Sequence, residues 1–280
     1  MLLSPVSPPK SAPHRHKGTV KQMTPAPPNF QLKFANSPSD LQAAQRLRYQ
    51  VFVAEMGASP MNVDHIGQRE QDDFDPFVDH LLLLDRNRSE GDQVIGAYRL
   101  LQSEQAERAG GFYSEGEYDL SVLRGSGRKL LELGRSCVHA DYRGGMAMFE
   151  LWAGLAAYVA RHDIEVLFGV ASFHGTDISK LAPSLSFLHH RHLAPVELRV
   201  AALPGCAQSM DLMPMEHLDR RGAVVATPAL IKAYLRLGGY VGQGAWIDRA
   251  FNTTDVCLVM DTARMNTRQR DFYTRPRRSG

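Results

Sequence analysis

The run Glu132-Leu133-Gly134-Arg135-Ser136-Cys137-Val138, followed closely by Asp141-Tyr142-Arg143-Gly144-Gly145 and an apolar stretch, constrains this 280-residue chain more than any other feature. It reads as a strand, a tight glycine turn and the start of a helix. Such a unit offers unpaired backbone N–H groups and the positive end of a helix dipole to an anion such as a phosphate. Glu132 and Arg135 stand beside the turn. A phosphate-bearing carrier on one side and a carboxylate near an arginine on the other point to acyl transfer from a thioester.

The flanking sequence supplies the rest of an α/β arrangement. Phe30, Leu32 and Phe34 alternate with polar residues at the period of a half-buried strand. Ser39 and Gln42 form a capping-box pattern ahead of Leu41, Ala44, Leu47, Val51 and Phe52, which share one helix face, and Gly57 is the expected stop. Leu81 to Leu84 and Val94 to Leu101, separated by Asn87-Arg88-Ser89-Glu90-Gly91-Asp92, predict an antiparallel hairpin. A strand from Lys129 to Val138 leads into the glycine turn and a helix over 146–162. Ile164 to Val170 predicts a strand, Asp177 to His189 a helix and Val196 to Leu203 another strand. Residues 226–262 add a further helix and the strand Val256 to Met260. This order is met most simply by a mixed, twisted sheet with helices on both faces, an α/β (α+β) fold in one domain over 29–263.

Charge is distributed unevenly. The formal net charge is +2, yet residues 1–28 carry +4 and residues 264–280 carry +5, which leaves −7 on the body. The first 28 residues are rich in Pro and Ser and too poor in apolar residues to offset the entropy of ordering, so a disordered basic tail is expected there, with a second basic tail at 264–280. Such arms either attract anionic phospholipid or an acidic carrier, or only aid solubility. No run approaches the roughly 18 apolar residues of a spanning helix, and the apolar start is too short for a signal peptide, so a cytoplasmic protein is expected. Cys137, Cys206 and Cys257 are widely spaced and odd in number, which supports neither a disulfide framework nor a zinc cluster. Cys137 lies in an apolar strand, where packing competes with a nucleophilic role. His189, His190 and His192 cluster at a helix end without matching metal ligands, and no metal is expected. Gly239, Gly242 and Gly244 follow a helix where a dinucleotide fingerprint needs a strand.

Set in this order, the residues resemble the GNAT superfamily of N-acetyltransferases, and within it the branch of N-acyltransferases that use acyl carrier protein. The marks are Arg48 with Phe52, Asp72-Asp73-Phe74-Asp75, then Gly96, Arg99 and Leu100, and Glu132-Leu133-Gly134-Arg135. Two families share them, the acyl-homoserine lactone synthases and the ornithine N-acyltransferases of ornithine lipid synthesis. Phe168 to Thr176, Pro228 to Gly238 and Asp248 to Asp255 resemble the second. Lactone synthases usually place a tryptophan after the glycine that ends the first helix, whereas here Ala58 follows Gly57.

The resemblance implies transfer of a (3-hydroxy)fatty acyl group from acyl carrier protein to the α-amine of L-ornithine, giving lyso-ornithine lipid at the inner face of a bacterial membrane. The alternatives are an acyl-homoserine lactone synthase and a non-catalytic module that binds carrier protein or membrane. No resident cofactor and no nucleic acid are expected. The co-substrate is the phosphopantetheine thioester of the carrier, and peripheral contact with an anionic membrane fits the basic arms. Arg143-Gly144-Gly145-Met146-Ala147 keeps only a compressed form of the superfamily's coenzyme A loop, which suits the single phosphodiester of phosphopantetheine. Val138, Arg143, Gly144 and Gly145 are therefore expected to hold the donor. Glu132 is expected to accept the amine's proton, or else to pair with Arg135 or Arg99, and Tyr142 either protonates the leaving thiolate or packs. Asp72, Asp75 and Asp79 suit the ammonium of a diamine, while Arg48 or Arg99 suits its carboxylate.

Overall fold

The computed structural model describes residues 26–60 and 62–265. The basic segments 1–25 and 266–280, and with them most of both expected tails, lie outside the described residues. The strands that build the main sheet are β1 (Phe30–Phe34), β2 (Asp79–Asp85), β3 (Val94–Gln102), β4 (Leu130–Val138), β5 (Val166–His174), β6 (Ala207–Gln208), β7 (Ala245–Asp248) and β8 (Thr253–Asp261). The longer helices are α1 (Pro38–Arg48), α2 (Ala147–His162), α3 (Ile178–His192) and α4 (Ala229–Arg236). Among the described residues the sheet runs β1-β2-β3-β4-β5-β8-β7-β6, with Tyr240–Val241 paired to β8 as a ninth strand. All its long pairings are antiparallel except β4 with β5.

Alternation along each strand divides the core between two faces. On one face Leu81, Leu83, Leu131, Leu133 and Leu258 pack under α2, α3 and α4, with Leu151, Leu155 and Leu185 fully or nearly fully buried. On the other, Leu82, Leu84, Ala97 and Cys137 meet Ala44 and Leu47 of α1. Farther along that second face, Leu130, Phe168, Cys257 and Val259 are covered by short helical turns carrying Ala106, Phe112 and Leu123. This is the mixed sheet with helices on both faces that the element order predicts, and it agrees with the GNAT-like fold that the resemblance implies.

Two local expectations are corrected. The cap of α1 is Ser37, whose hydroxyl accepts from the N–H of Asp40 at 3.2 Å, because Pro38 takes the first helical position where its missing N–H costs nothing. Residues 196–203 are not a strand. They form a 3-10 turn at Val196–Leu198, and only Ala201–Ala202 pairs, with Tyr118–Asp119. Leu198 and Val200 are buried while Val196 and Glu197 are exposed, so the turn covers the same alternate side chains that a half-buried strand would.

The sheet opens at its one parallel pairing. β4 and β5 stay in register only at Leu130, Leu131 and Glu132, opposite Val166, Leu167 and Phe168. Beyond that point the two strands part. The next residue on β5, Gly169, has φ +155°, and a Cβ built there would stand 2.2 Å from the carbonyl oxygen of Leu133. Only glycine lets the strands touch before they separate. On the other edge of β4 a bulge falls between the pairs Arg99–Gly134 and Ala97–Cys137, and its extra residue, Arg135, has φ +49°.

Candidate active site

The gap between the separating strands is the mouth of a cavity of about 850 Å³. Its walls include the β4 backbone from Leu133 to Val138, the β5 residues Val170 to Ser172, and the turn Arg143-Gly144-Gly145. From Leu133 onward the edge of β4 that faces β5 has no strand partner among the described residues, so its N–H and C=O groups are available to an extended ligand. Gly144, with φ +74°, bends the chain into the N-terminus of α2. Arg143 crosses the turn, donating from Nε to the Val138 carbonyl at 2.9 Å and from both terminal nitrogens to Glu55. Phe52, carried by the π-helical extension Tyr49–Glu55 of α1, lines the same space and meets Phe251 edge-on at 6.3 Å.

Glu132 borders the cavity at the point where the strands part, and it is 3% exposed. Burial raises its pKa, while its hydrogen bonds work in the opposite direction. Both arginine pairings expected for it are absent. Its Oε1 accepts from the Ser114 N–H at 2.6 Å and from the Ser114 hydroxyl, and its Oε2 accepts from the Tyr113 N–H at 2.8 Å. A carboxylate offers about four acceptor sites, so one remains open on Oε2. The same contacts seat the turn Tyr113–Gly116 on the sheet and place the Tyr113 ring 4.7 Å from the guanidinium of Arg135.

The acids and arginines of the sequence motifs form a closed ion network beside the cavity. Arg48, 1% exposed, gives Nε to Glu70, Nη1 to Asp75 at 2.7 Å, and Nη2 to the Glu70 carbonyl at 2.7 Å and to Asp75 at 2.9 Å. Arg135 bridges Glu70 and Asp72, each at 3.0 Å. Arg99 reaches Asp72 at 2.6 Å and Asp75 at 3.5 Å, in both cases through Nη1. Burial pushes the Asp75 carboxyl up, but the hydrogen bonds and charge of Arg48 outweigh it and bring the pKa down to about 2. Asp72 is lowered in the same way, burial being outweighed by Arg99 and Arg135.

Several expected roles therefore change. Arg48 does not line the cavity, and all three of its nitrogens are engaged, so it fixes the framework and is not a carboxylate binder. Asp72 and Asp75 are held by arginines, and Asp79 accepts the Tyr158 O–H at 2.6 Å away from the cavity. Tyr142 lines the cavity, yet its hydroxyl donates to Asp85 at 2.7 Å. Burial and the Asp85 charge raise its pKa. Cys137 also lines the wall, and burial holds its thiol at about 12, so it is not a thiolate nucleophile at neutral pH. Arg99 lines the cavity, and its ion pairs leave Nε and Nη2 outside them.

Asp248 and Asp255, on β7 and β8, border the cavity as well, and Glu117 stands beside them. Sequence reasoning placed no function on these three. The signal was an aspartate inside the otherwise apolar run Val256 to Met260 and its approach, Thr253-Thr254-Asp255, where every residue of β8 is buried. Elsewhere, His190 Nε2 lies 2.9 Å from the Met213 carbonyl and 3.5 Å from the exposed Asp211.

A family model described as an acetyltransferase (GNAT) domain matches residues 47–153. The curated L-ornithine N(alpha)-acyltransferase of Rhodobacter capsulatus is 55% identical over 255 residues, covering 90% of this chain and 98% of that relative. The enzyme of the same name from Brucella abortus is 46% identical over 249 residues, covering 88% and 89%. FeeM, an N-acyl amino acid synthase from uncultured soil microbes, shares the fold at 13% identity, with a TM-score of 0.50 over 85% of this chain and 93% of its own. The matched family model and these relatives make the chain an N-acyltransferase of the GNAT class. Identity at this level along nearly the whole length narrows the class further. The chain belongs to the L-ornithine N(alpha)-acyltransferase family.

Proposed function

We propose that this enzyme moves a 3-hydroxyacyl group from the phosphopantetheine arm of acyl carrier protein to the α-amine of L-ornithine, giving lyso-ornithine lipid. The observation that carries the reading is the cavity at the β4–β5 split, which joins an unpaired strand edge to a wall of buried acids. The names of the relatives supply ornithine as the acceptor. Arg143, Gly144 and Gly145 receive the carrier's phosphodiester at the start of α2, and the extended pantetheine lies along β4 from Leu133 to Val138. Backbone N–H groups on that edge polarise the thioester carbonyl and stabilise the oxyanion as it forms.

The free electron pair of the α-amine attacks the carbonyl carbon. The open site on Glu132 Oε2 takes the amine's proton, for which burial makes the carboxylate a better base than one in water. Collapse of the tetrahedral adduct forms the amide and expels the pantetheine thiolate, which takes a proton from solvent at the cavity mouth. The Nε and Nη2 groups of Arg99 receive the amino acid's carboxylate. Work at the inner face of the membrane suits a product with a long acyl chain, and no helix among the described residues is long and apolar enough to cross a bilayer.

Purified protein should be incubated with acyl carrier protein or coenzyme A thioesters against ornithine, lysine, glycine and S-adenosylmethionine, and the products read by mass spectrometry. Acyl-ornithine formed from the carrier thioester is the expected result. Folded protein that makes none, or that consumes S-adenosylmethionine, overturns the reading.

A further inference from the structure

Two carboxylates of the cavity wall, Asp248 and Asp255, meet a third, that of Glu117, with no cation among the three. Asp255 on β8 faces Ser172 of β5 and Trp246 of β7 in register, and Asp248 of β7 is paired with Thr253 of β8. Glu117 comes from a distant segment. It is clamped there because the next residue, Tyr118, donates its O–H to the carbonyls of Asp255 at 2.9 Å and Gly244 at 3.1 Å. One oxygen from each of Glu117, Asp248 and Asp255 lies within 4.8 Å of the other two. Glu117 and Asp255 are 6% and 4% exposed, and none of the three makes an ion pair among the described residues. Among the described residues Glu117 Oε2, Asp255 Oδ1 and the hydroxyl of Thr253, itself 3% exposed and on the cavity wall, make no well-formed hydrogen bond, although the Ser172 and Thr253 hydroxyls lie near enough to Asp255 to favour its charged form. Asp248 Oδ1 is engaged by the N–H groups of Ala250 and Phe251, which fixes its orientation.

Buried acids without a counter-charge are costly, and the cost shows in the basicity of Glu117 and Asp255. Burial, then the charges of Asp255 and Asp248, push the Glu117 carboxyl well up; burial also pushes Asp255 up, with the Ser172 and Thr253 hydroxyls working against it and the Asp248 charge adding to it. Arg135 is a cation that opposes both shifts, but its own ion pairs are to Glu70 and Asp72. The site is built for a positive charge that enters with a ligand.

We infer that Glu117, Asp248 and Asp255 form the socket for the side-chain ammonium of a dibasic amino acid acceptor, with Thr253 as a further oxygen. This rests on the amino acid acylation proposed above and says how the acceptor is chosen. An ammonium carries three N–H donors, and acceptors at about 2.8 Å from a tetrahedral nitrogen stand about 4.6 Å apart, within the spread of the three carboxylates. A magnesium or calcium ion calls for six or more oxygens about 3 Å apart. The socket also explains the choice of nitrogen. An amine among three carboxylates stays protonated and has no free electron pair, so the α-amine is the one left to attack.

The test compares ornithine with norvaline, which has the same chain without the terminal amine, using the acyl donor accepted by the wild-type protein. Asp255→Asn and Glu117→Gln are assayed beside it, with melting temperatures as the check on folding and Asp248→Asn as the half-buried alternative. The wild-type protein should prefer ornithine at least 100-fold in kcat/KM. Each folded variant should lose at least ten-fold of that preference, chiefly through a higher KM for ornithine, and should raise the share of product acylated on the side-chain nitrogen. Unchanged preference and unchanged product ratio in folded variants overturn the inference. So does wild-type protein that acylates both acceptors equally well, or activity lost to a chelator and restored by a divalent ion, and in these cases the acylation reading stands. Folded wild-type protein that acylates no ornithine fails at the earlier step, and the socket falls with it.

Discussion

Glu132 and Arg48 show how one kind of observation, a buried charged side chain, separates chemistry from framework. Glu132 keeps an acceptor site on the cavity side of its hydrogen bonds, whereas Arg48 has none of its nitrogens to give. Glu132→Gln removes the basic site but keeps an acceptor oxygen for the Tyr113–Ser114 turn. Its kcat should fall by about 10²–10⁴, the usual contribution of a placed base, with KM for the donor little changed in steady-state assays. Arg48→Ala instead leaves Glu70 and Asp75 as uncompensated buried acids. A loss of roughly 3–5 kcal/mol is expected, read from the urea midpoint. Asp75 adds a pH signature. Its folded pKa of about 2 lies below the ordinary 3.8, so its contribution is complete above about pH 4 and is lost as the pH falls through 2. Urea midpoints taken between pH 5 and 2 should decline less steeply in Asp75→Asn than in the wild-type protein.

At the scale of elements, the site is made by the way two strands separate. Gly169 and Gly134 lie on neighbouring strands and give opposite expectations. A methyl group at Gly169 would collide with the backbone of Leu133 in a conformation that L-residues rarely adopt, while at Gly134 its nearest neighbours are the Arg99 side-chain nitrogens at 3.7 and 3.9 Å. Gly169→Ala should lower the melting temperature by well over 10 °C or prevent recovery of folded protein, and Gly134→Ala should shift it by only a few degrees. Equal effects would mean that the split does not depend on the Leu133–Gly169 contact. The elements themselves were legible in sequence wherever periodicity reports burial directly. Phe30, Leu32 and Phe34, the Leu81–Leu84 run and the helix over 146–162 all stand as read, within a few residues. Val196 to Leu203 was misleading because apolar residues alternating with Glu197 and Arg199 are equally compatible with a short turn that buries Leu198 and Val200. That Val138, Arg143, Gly144 and Gly145 share a cavity with Glu132 was legible because they lie in one continuous segment. The acidic socket was not, since Glu117, Asp248 and Asp255 meet only through the pairing of β7 with β8 and the anchoring of Tyr118. Nor could spacing show that Asp72 and Asp75 are already neutralised by three arginines.

For the whole molecule the governing quantity is the separation of charge between an acidic body and two basic ends. Residues 1–28 and 264–280 carry +4 and +5 against −7 on the residues between them. A body of that sign is repelled by an anionic leaflet, and a carrier protein with an acidic surface is repelled by it too. Each basic residue close to an anionic lipid surface contributes about 1 kcal/mol, a sum large enough to outweigh that repulsion at physiological ionic strength. On the proposed reading the arms hold the enzyme at the bilayer and the cavity carries the chemistry. Protein restricted to residues 26–265 should keep its kcat on soluble donor and ornithine, within a factor of about three. In sedimentation assays it should bind vesicles containing phosphatidylglycerol at least ten-fold more weakly than the full chain, and 0.5 M salt should bring the full chain down to the same level, because the Debye length is then only a few ångströms. Equal vesicle binding by the two proteins would move the contact onto the folded body. A matching fall in kcat would instead place the arms at the proposed donor site beside Arg143 to Gly145.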